Sequence, residues 1–208
     1  FYRRSLDNAN IRGIYPDGFM PLIQSTVNDI SLYTSLNGFW GAWYWKYGMG
    51  MGQNGFEFGV DNSLNTSLGL KTPTEFTCVT LNFQHITANI HLFRSFNPMQ
   101  SIPVTLALGA EWSRERYWIE AGEEASYING GIEILDGPSQ GGKAAVGSQG
   151  FPGFTPADEV DEARNNIGCY MDMEANIVQS LLIGTAARFE HYSDFGSDLD
   201  GKITARFE

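Results

Sequence analysis

The sequence is short of cations, cysteine, histidine and long apolar runs, and each shortage narrows what the protein can be. Its 208 residues carry 13 Lys and Arg against 24 Asp and Glu, a formal net charge of −11. A general nucleic-acid binder neutralises phosphates with clustered Lys and Arg, so that class is excluded. No stretch approaches the run of about 20 apolar residues that a membrane-crossing helix requires. This excludes helical membrane proteins and leaves barrels untouched, because barrel strands are short and only half apolar. Of the three histidines, His85 and His91 are six apart on one expected strand, about 20 Å at roughly 3.3 Å per residue. They cannot share a metal, His191 is isolated, and metal catalysis has no support. The two cysteines, Cys78 and Cys169, fall on strands of opposite phase. An oxidising compartment would allow them to pair, but two buried, unpaired thiols is the preferred reading. There is no initiator Met and no signal sequence; Phe1-Tyr2-Arg3-Arg4 reads as the interior of a longer chain, so targeting has to be inferred.

What is abundant points to strands. Aromatics make up 13% of the chain and glycines number 24, a composition of strands and turns. From Leu181, alternate residues read Leu181, Ile183, Thr185, Ala187, Phe189, interleaved with Leu182, Gly184, Ala186, Arg188, Glu190, Tyr192. Ile167, Cys169, Met171, Met173, Ala175 and Ile177 likewise alternate with Asn166, Gly168, Tyr170, Asp172, Glu174 and Asn176. A period of two means a strand with one apolar and one polar face. Val104, Leu106, Leu108, Ala110 and Trp112 form a third apolar row, which turns charged at Arg114 and Arg116. That row fits the roughly 9–11 residues a tilted strand needs to cross the hydrocarbon band, with Trp112 where an interfacial aromatic girdle would lie. Ile30 to Leu36 alternates as well, Phe39, Trp43, Trp45 and Tyr47 form one row, and Lys202 to Phe207 is a further strand. The phase of Val79, Leu81 and Phe83 slips near His85 to Ala88 before Ile90 and Leu92 resume it, the mark of a β-bulge.

The expected connections sort by length. Asn37-Gly38, Asn97 to Ile102 and Val178-Gln179-Ser180 are short. Asn8 to Asn28, Asp61 to Glu75, Glu123 to Arg164 and a modest Ser193 to Gly201 are longer, polar and Gly-rich. Short turns on one side and long loops on the other are the signature of an outer-membrane barrel. The same alternation also describes half-buried strands of a soluble sandwich or lipocalin-like barrel, with the apolar row facing inward.

Motifs for catalysis fail on inspection. Gly137-Pro138-Ser139-Gln140-Gly141-Gly142-Lys143-Ala144 nearly matches a phosphate-binding loop, but Ala144 occupies the hydroxyl position and Gly147, Gly150, Pro152 and Gly153 break any following helix. Asp194, Asp198 and Asp200-Gly201 suggest a calcium loop, yet Gly196 stands at its first ligand position, and a polar hairpin turn is preferred. Asp172 with Glu174, and Glu111 with Glu115, could serve acid–base chemistry. A polar barrel lumen requires such charges for solvation, and Arg188 could pair with them across strands. There is no nucleophile elbow and no Cys/His pair at a recognisable spacing. The expectation is no enzyme and no cofactor. In the loop Glu123 to Arg164, Tyr127, Phe151 and Phe154 sit among Gly, Ser and acidic residues, placed either to capture a ligand by stacking or to pack the loop against its neighbours.

Ile14-Tyr15-Pro16-Asp17-Gly18-Phe19-Met20-Pro21, Asn62 through Gly69, and Thr72-Pro73-Thr74-Glu75-Phe76 resemble TonB-dependent receptors of Gram-negative outer membranes. So do Ala110-Glu111, Glu120-Ala121-Gly122-Glu123, Ser126-Tyr127, Phe151-Pro152-Gly153-Phe154 and the run Arg188 to Gly196. Gly201-Lys202 then opens the last strand. No single motif is specific; the ordered set is. Lys71 and Cys78 depart from the pattern, where a small or polar residue and a Gly would be commoner.

The resemblance implies an all-β, antiparallel, up-and-down transmembrane barrel segment. About eight strands of a barrel of roughly 22 would be present, the first and last truncated, with residues 1–208 a partial receptor barrel domain. Plug and TonB box would lie outside the chain. It further implies residence in the cell outer membrane, against lipid and lipopolysaccharide. Uptake of a scarce small-molecule nutrient (a siderophore, haem, a cobalamin or a saccharide) would be driven by the TonB–ExbB–ExbD complex. On that reading Glu111, Glu115, Arg188 and Glu190 face the ligand or plug, with Tyr127, Phe151 and Phe154 in the outer loop. The rivals are a passive outer-membrane porin and a soluble extracellular glycan-binding β-sandwich.

Overall fold

A computed structural model describes residues 1–99 and 102–207. A short pair, β1 (Arg3–Arg4) and β2 (Gly18–Phe19), precedes seven strands: β3 (Leu22–Trp40), β4 (Trp43–Asp61), β5 (Phe76–Met99), β6 (Ile102–Ala121), β7 (Val160–Val178), β8 (Leu181–Tyr192) and β9 (Gly196–Phe207). These seven form one sheet in the order of the chain, an antiparallel meander. The fold is an antiparallel up-and-down β-barrel segment, as expected, with seven strands in its main sheet among the described residues. A sandwich needs a second sheet packed face to face, and among the described residues the only other sheet is the two-stranded pair.

Register follows the period-two pattern. Cys169 pairs with Phe189 and Phe189 with Leu199, while Met173 pairs with Thr185 and Thr185 with Ile203. The opposite face carries Tyr170 beside Arg188 beside Asp200, and Asp172 beside Ala186 beside Lys202. The expected β-bulge near His85 to Ala88 is not seen: His85 and His91, six residues apart, both face the polar side, so the alternation runs unbroken between them and only the apolar preference changes face.

Several boundaries differ from expectation. Asn37-Gly38 lies inside β3, and the turn is Gly41-Ala42, with Gly41 at φ 59°. A positive φ is what two-residue hairpin turns demand. Gly38 serves a different end: a Cβ there would stand 3.0 Å from the Trp45 ring. Phe39 leaves the Trp43–Trp45 row and meets Tyr44 instead, ring centres 5.3 Å apart. β3 begins at Leu22, inside the expected loop of residues 8–28, and β7 at Val160, four residues before Arg164. Ser193 to Gly201 is a three-residue turn, 193–195, followed directly by β9, so Asp198 and Asp200 are strand residues. The short turn 179–180 is as expected; residues 100 and 101 of the expected Asn97 to Ile102 turn lie outside the described residues.

The chain divides into two compact units, the first comprising 1–29, 54–83 and 117–162, the second 30–53, 84–116 and 163–208. The buried apolar clusters belong to the first. One joins Ile11, Phe19 and Leu64; the other joins Val60, Phe76 and Cys78, with Phe151 packed against it. Both cysteines are unpaired, but only Cys78 is buried; Cys169 is exposed on the apolar row.

In the second unit the apolar rows are uncovered. Phe189 is exposed, Ile183, Leu106 and Leu108 are half-buried, and none belongs to a buried cluster. Leu199 and Ile203 are 72% and 81% exposed. Leaving water stabilises a large apolar side chain by about 1.5–3 kcal/mol, so this face is costly in water and suited to an apolar solvent.

Candidate functional site

The polar face of the second unit holds a cleft of about 250 Å³ lined by His85, Glu111, Ser113, Glu115, Arg164, Asn166, Arg188, Glu190 and Tyr192. Four strands supply it, and the pleat explains how. Residues 111, 113 and 115 of β6, 164 and 166 of β7, and 188, 190 and 192 of β8 are each spaced by two, so all project to one side. The cleft brings together Glu111, Glu115, Arg188 and Glu190, the lumen-phase charges expected from sequence.

Arg164 Nε donates to Glu115 Oε2 at 2.6 Å, and an Arg188 terminal nitrogen donates to Glu190 Oε1 at 2.6 Å. Both pairs are partly open to solvent, where such contacts contribute little to stability. They order the side chains more than they stabilise the fold. Arg164 also lies over Tyr192 and Phe195, 5.8 and 6.0 Å from the ring centres, and those two rings stack at 4.3 Å. Among the described residues Glu111 forms no ion pair, although its charge acts on the nearby Arg188. The cleft therefore offers two guanidinium groups held by carboxylates, a further carboxylate at Glu111 and an aromatic edge. Such a set is chemically suited to polar or zwitterionic ligands.

Arg164 was hidden in the sequence because it fell at the edge of an expected loop. Its phase with Asn166, Gly168 and Tyr170 is the signal that would have found it.

Below the cleft in strand order, an aromatic line continues on the same face. Tyr170 bonds to His91 Nδ1 at 2.9 Å, and His91, Phe93, Tyr44 and Phe39 follow with ring centres 5.3–6.4 Å apart. Gly109 makes room for it, since a Cβ there would lie 2.0 Å from the Tyr170 ring.

The loop aromatics belong to the first unit. Phe151 meets Phe58 edge-on at 4.6 Å and stacks on Phe154 at 6.1 Å, so both pack the loop. Tyr127 is half-buried at the end of a one-turn helix, α1 (Glu124–Tyr127). Residues 122–159 are tied down by buried polar groups. Asn65 Nδ2 donates to the carbonyls of Ala125 and Ile128, both at 2.9 Å, Ser63 Oγ to Gln149 O at 2.7 Å, and Ser148 Oγ to Phe151 O at 2.7 Å. Buried polar groups are stable only when so paired, and here they make the long connections one hydrogen-bonded cap.

Sequence gave no sign of a second cleft, of about 340 Å³, in the first unit. Glu57, Asp61, Glu75 and Glu123 line it with Gln24, Ser25 and Thr26. Gln24 donates to Asp61. Burial pushes the Glu123 carboxyl up, against the opposing effect of a hydrogen bond from the Thr77 backbone. Such a rim attracts cations and repels carboxylates.

Comparison with known proteins adds a likeness of fold. No family model matches the chain, and no curated protein matches it. Among solved structures, the chain is similar to the "Structure of the RagAB peptide transporter", with a TM-score of 0.59 at 10% sequence identity. The match covers 91% of this chain and 20% of that one, so the chain spans 20% of the length of the protein it matches. At that identity the likeness concerns the fold alone, a β-rich antiparallel sheet.

Proposed function

We propose that the chain is a wall segment of a TonB-dependent outer-membrane receptor that takes up a scarce nutrient. The observation that carries this reading is the uncovered apolar face, from Cys169 through Phe189 to Leu199 and from Met173 to Ile203. Lipid tails solvate that face, and the opposite face with its ion pairs lines a polar lumen. Alternation in the connections supports it: 41–42 and 179–180 are two-residue turns, whereas 62–75 and 122–159 are long and folded into a cap. The short 193–195 turn is the exception among the cap-side connections. No covalent chemistry is required, since the cleft of Glu111, Arg188 and Glu190 binds and orients cargo or plug.

The cargo is a siderophore, haem, a cobalamin, a saccharide or, by analogy with the peptide transporter of the same fold, a peptide. The zwitterionic cleft suits a peptide best, because held guanidiniums meet a carboxylate and Glu111 meets an amine. Partners on this reading are lipid, lipopolysaccharide and the TonB–ExbB–ExbD complex acting through another part of the protein. The test is uptake by the full-length protein in cells with and without TonB. Uptake lost without TonB supports the receptor; uptake unchanged identifies a passive porin and overturns the proposal.

A further inference from the structure

One cation on the apolar face of β5 lacks a counter-charge. Arg94 continues the phase of Ile90 and Leu92, opposite to His91 and Phe93, which face Tyr170 and Tyr44. Among the described residues no carboxylate forms an ion pair with it, and its Nε is buried without a hydrogen-bond partner. The guanidinium carbon instead lies 5.6 Å from the centre of the Trp43 ring and 6.0 Å from that of Phe96. Trp43 opens β4 immediately after the Gly41-Ala42 turn, and Trp40 on the other side of that turn is 82% exposed.

A guanidinium stays charged in any protein environment, and stranding one without an anion is costly. The chain has an excess of carboxylates, with a net charge of −11, yet places none here. Only Nε is buried, so the terminal nitrogens of Arg94 are open to an anion from outside the chain. Tryptophan gathers at the headgroup level of a bilayer, arginine extends its charge toward that level from an apolar stem, and its planar fork matches two phosphate oxygens. We propose that Arg94, between Trp43 and Phe96, binds the phosphodiester of a membrane glycerophospholipid at the short-turn boundary of the bilayer. This rests on the membrane reading above.

The full-length protein in detergent is titrated with phosphatidylglycerol, and the lipid retained per protein is counted by native mass spectrometry. Arg94→Gln is expected to weaken retention of the tightest lipid at least roughly tenfold. Arg94→Lys, which keeps the charge and loses the fork, is expected to weaken it by about threefold. Excess inorganic phosphate should leave the wild-type lipid in place. Equal retention by wild type and either variant overturns the proposal, and displacement by phosphate alone reduces the site to a plain anion contact and overturns it too. In parallel, tryptophan quenching by brominated acyl chains is measured in vesicles. Quenching with equal retention sinks the Arg94 site only; no quenching in either protein sinks the membrane reading beneath it.

Discussion

At the scale of the residue, glycine does two jobs that sequence cannot separate. Asn-Gly is a strong hairpin signal, yet Gly38 lies within β3 because Trp45 covers it, while Gly41, followed by an unremarkable Ala, turns the chain. Gly109 carries no turn signal at all and is needed because Tyr170 crosses its backbone. Two carboxylates in the cap illustrate opposite electrostatics. Asp158 accepts from the backbone and hydroxyl of Thr155, both at 2.8 Å, which lowers its pKa. That contribution is present above the ordinary aspartate value and is lost as pH falls through the lowered one. Glu123 is raised, first by burial, so its contribution is present below the ordinary glutamate value and is lost as pH rises through the raised one. Hydrogen exchange followed from pH 3 to 7, corrected for intrinsic rates, should therefore show residues 155–158 tightening and residues around 123 loosening. Both segments moving in one direction would contradict these assignments.

At the scale of the element, strands were legible wherever the two faces differ in chemistry. Residues 167–177 and 181–189 read correctly because Met, Ile and Phe alternate with Asp, Glu and Arg. β9 was half missed because Asp198, Asp200 and Gly201 look like a turn when their cross-strand partners Glu190, Arg188 and Ala187 are not yet known. The cap was not legible either, since its organising side chains bond to carbonyls some 60 to 86 residues away, as Asn65 does to Ala125 and Ser63 to Gln149. Hydrophobic pattern carries no record of such pairings. Asn65→Ala strands two carbonyls and removes the acceptor for Ser67. At about 1–3 kcal/mol for each buried polar group left unpaired, the cap should open locally. The readout is faster amide exchange across 124–132 with exchange in β7 and β8 unchanged. Unchanged exchange at 124–132 would show that Asn65 does not hold the cap.

At the scale of the molecule, the arrangement inverts the usual globular plan. The fully buried side chains lie in the first unit and are largely polar (Asn10, Asn65, Ser63, Ser67, Ser126, Ser148), whereas Ile203, Leu199 and Phe207 stand open on the sheet. An apolar face left open while serine and asparagine are buried is what the proposed hydrocarbon solvent for that face would explain. The fold class and the polar cleft charges were visible from sequence for the same reason, the strict two-residue period. The rest of the cleft lining was not, because Arg164, His85 and Tyr192 arrive from different strands.

The two faces can be distinguished directly with the protein's own cysteine. A spin label on exposed Cys169, and one at Glu111→Cys in a Cys169→Ser background, are compared in bilayers for collisions with oxygen and with a water-soluble nickel chelate. The label at 169 should meet oxygen preferentially and the label at 111 the chelate. Chelate dominating at 169 would mean that this face looks into water or protein, and the membrane-wall account would be wrong.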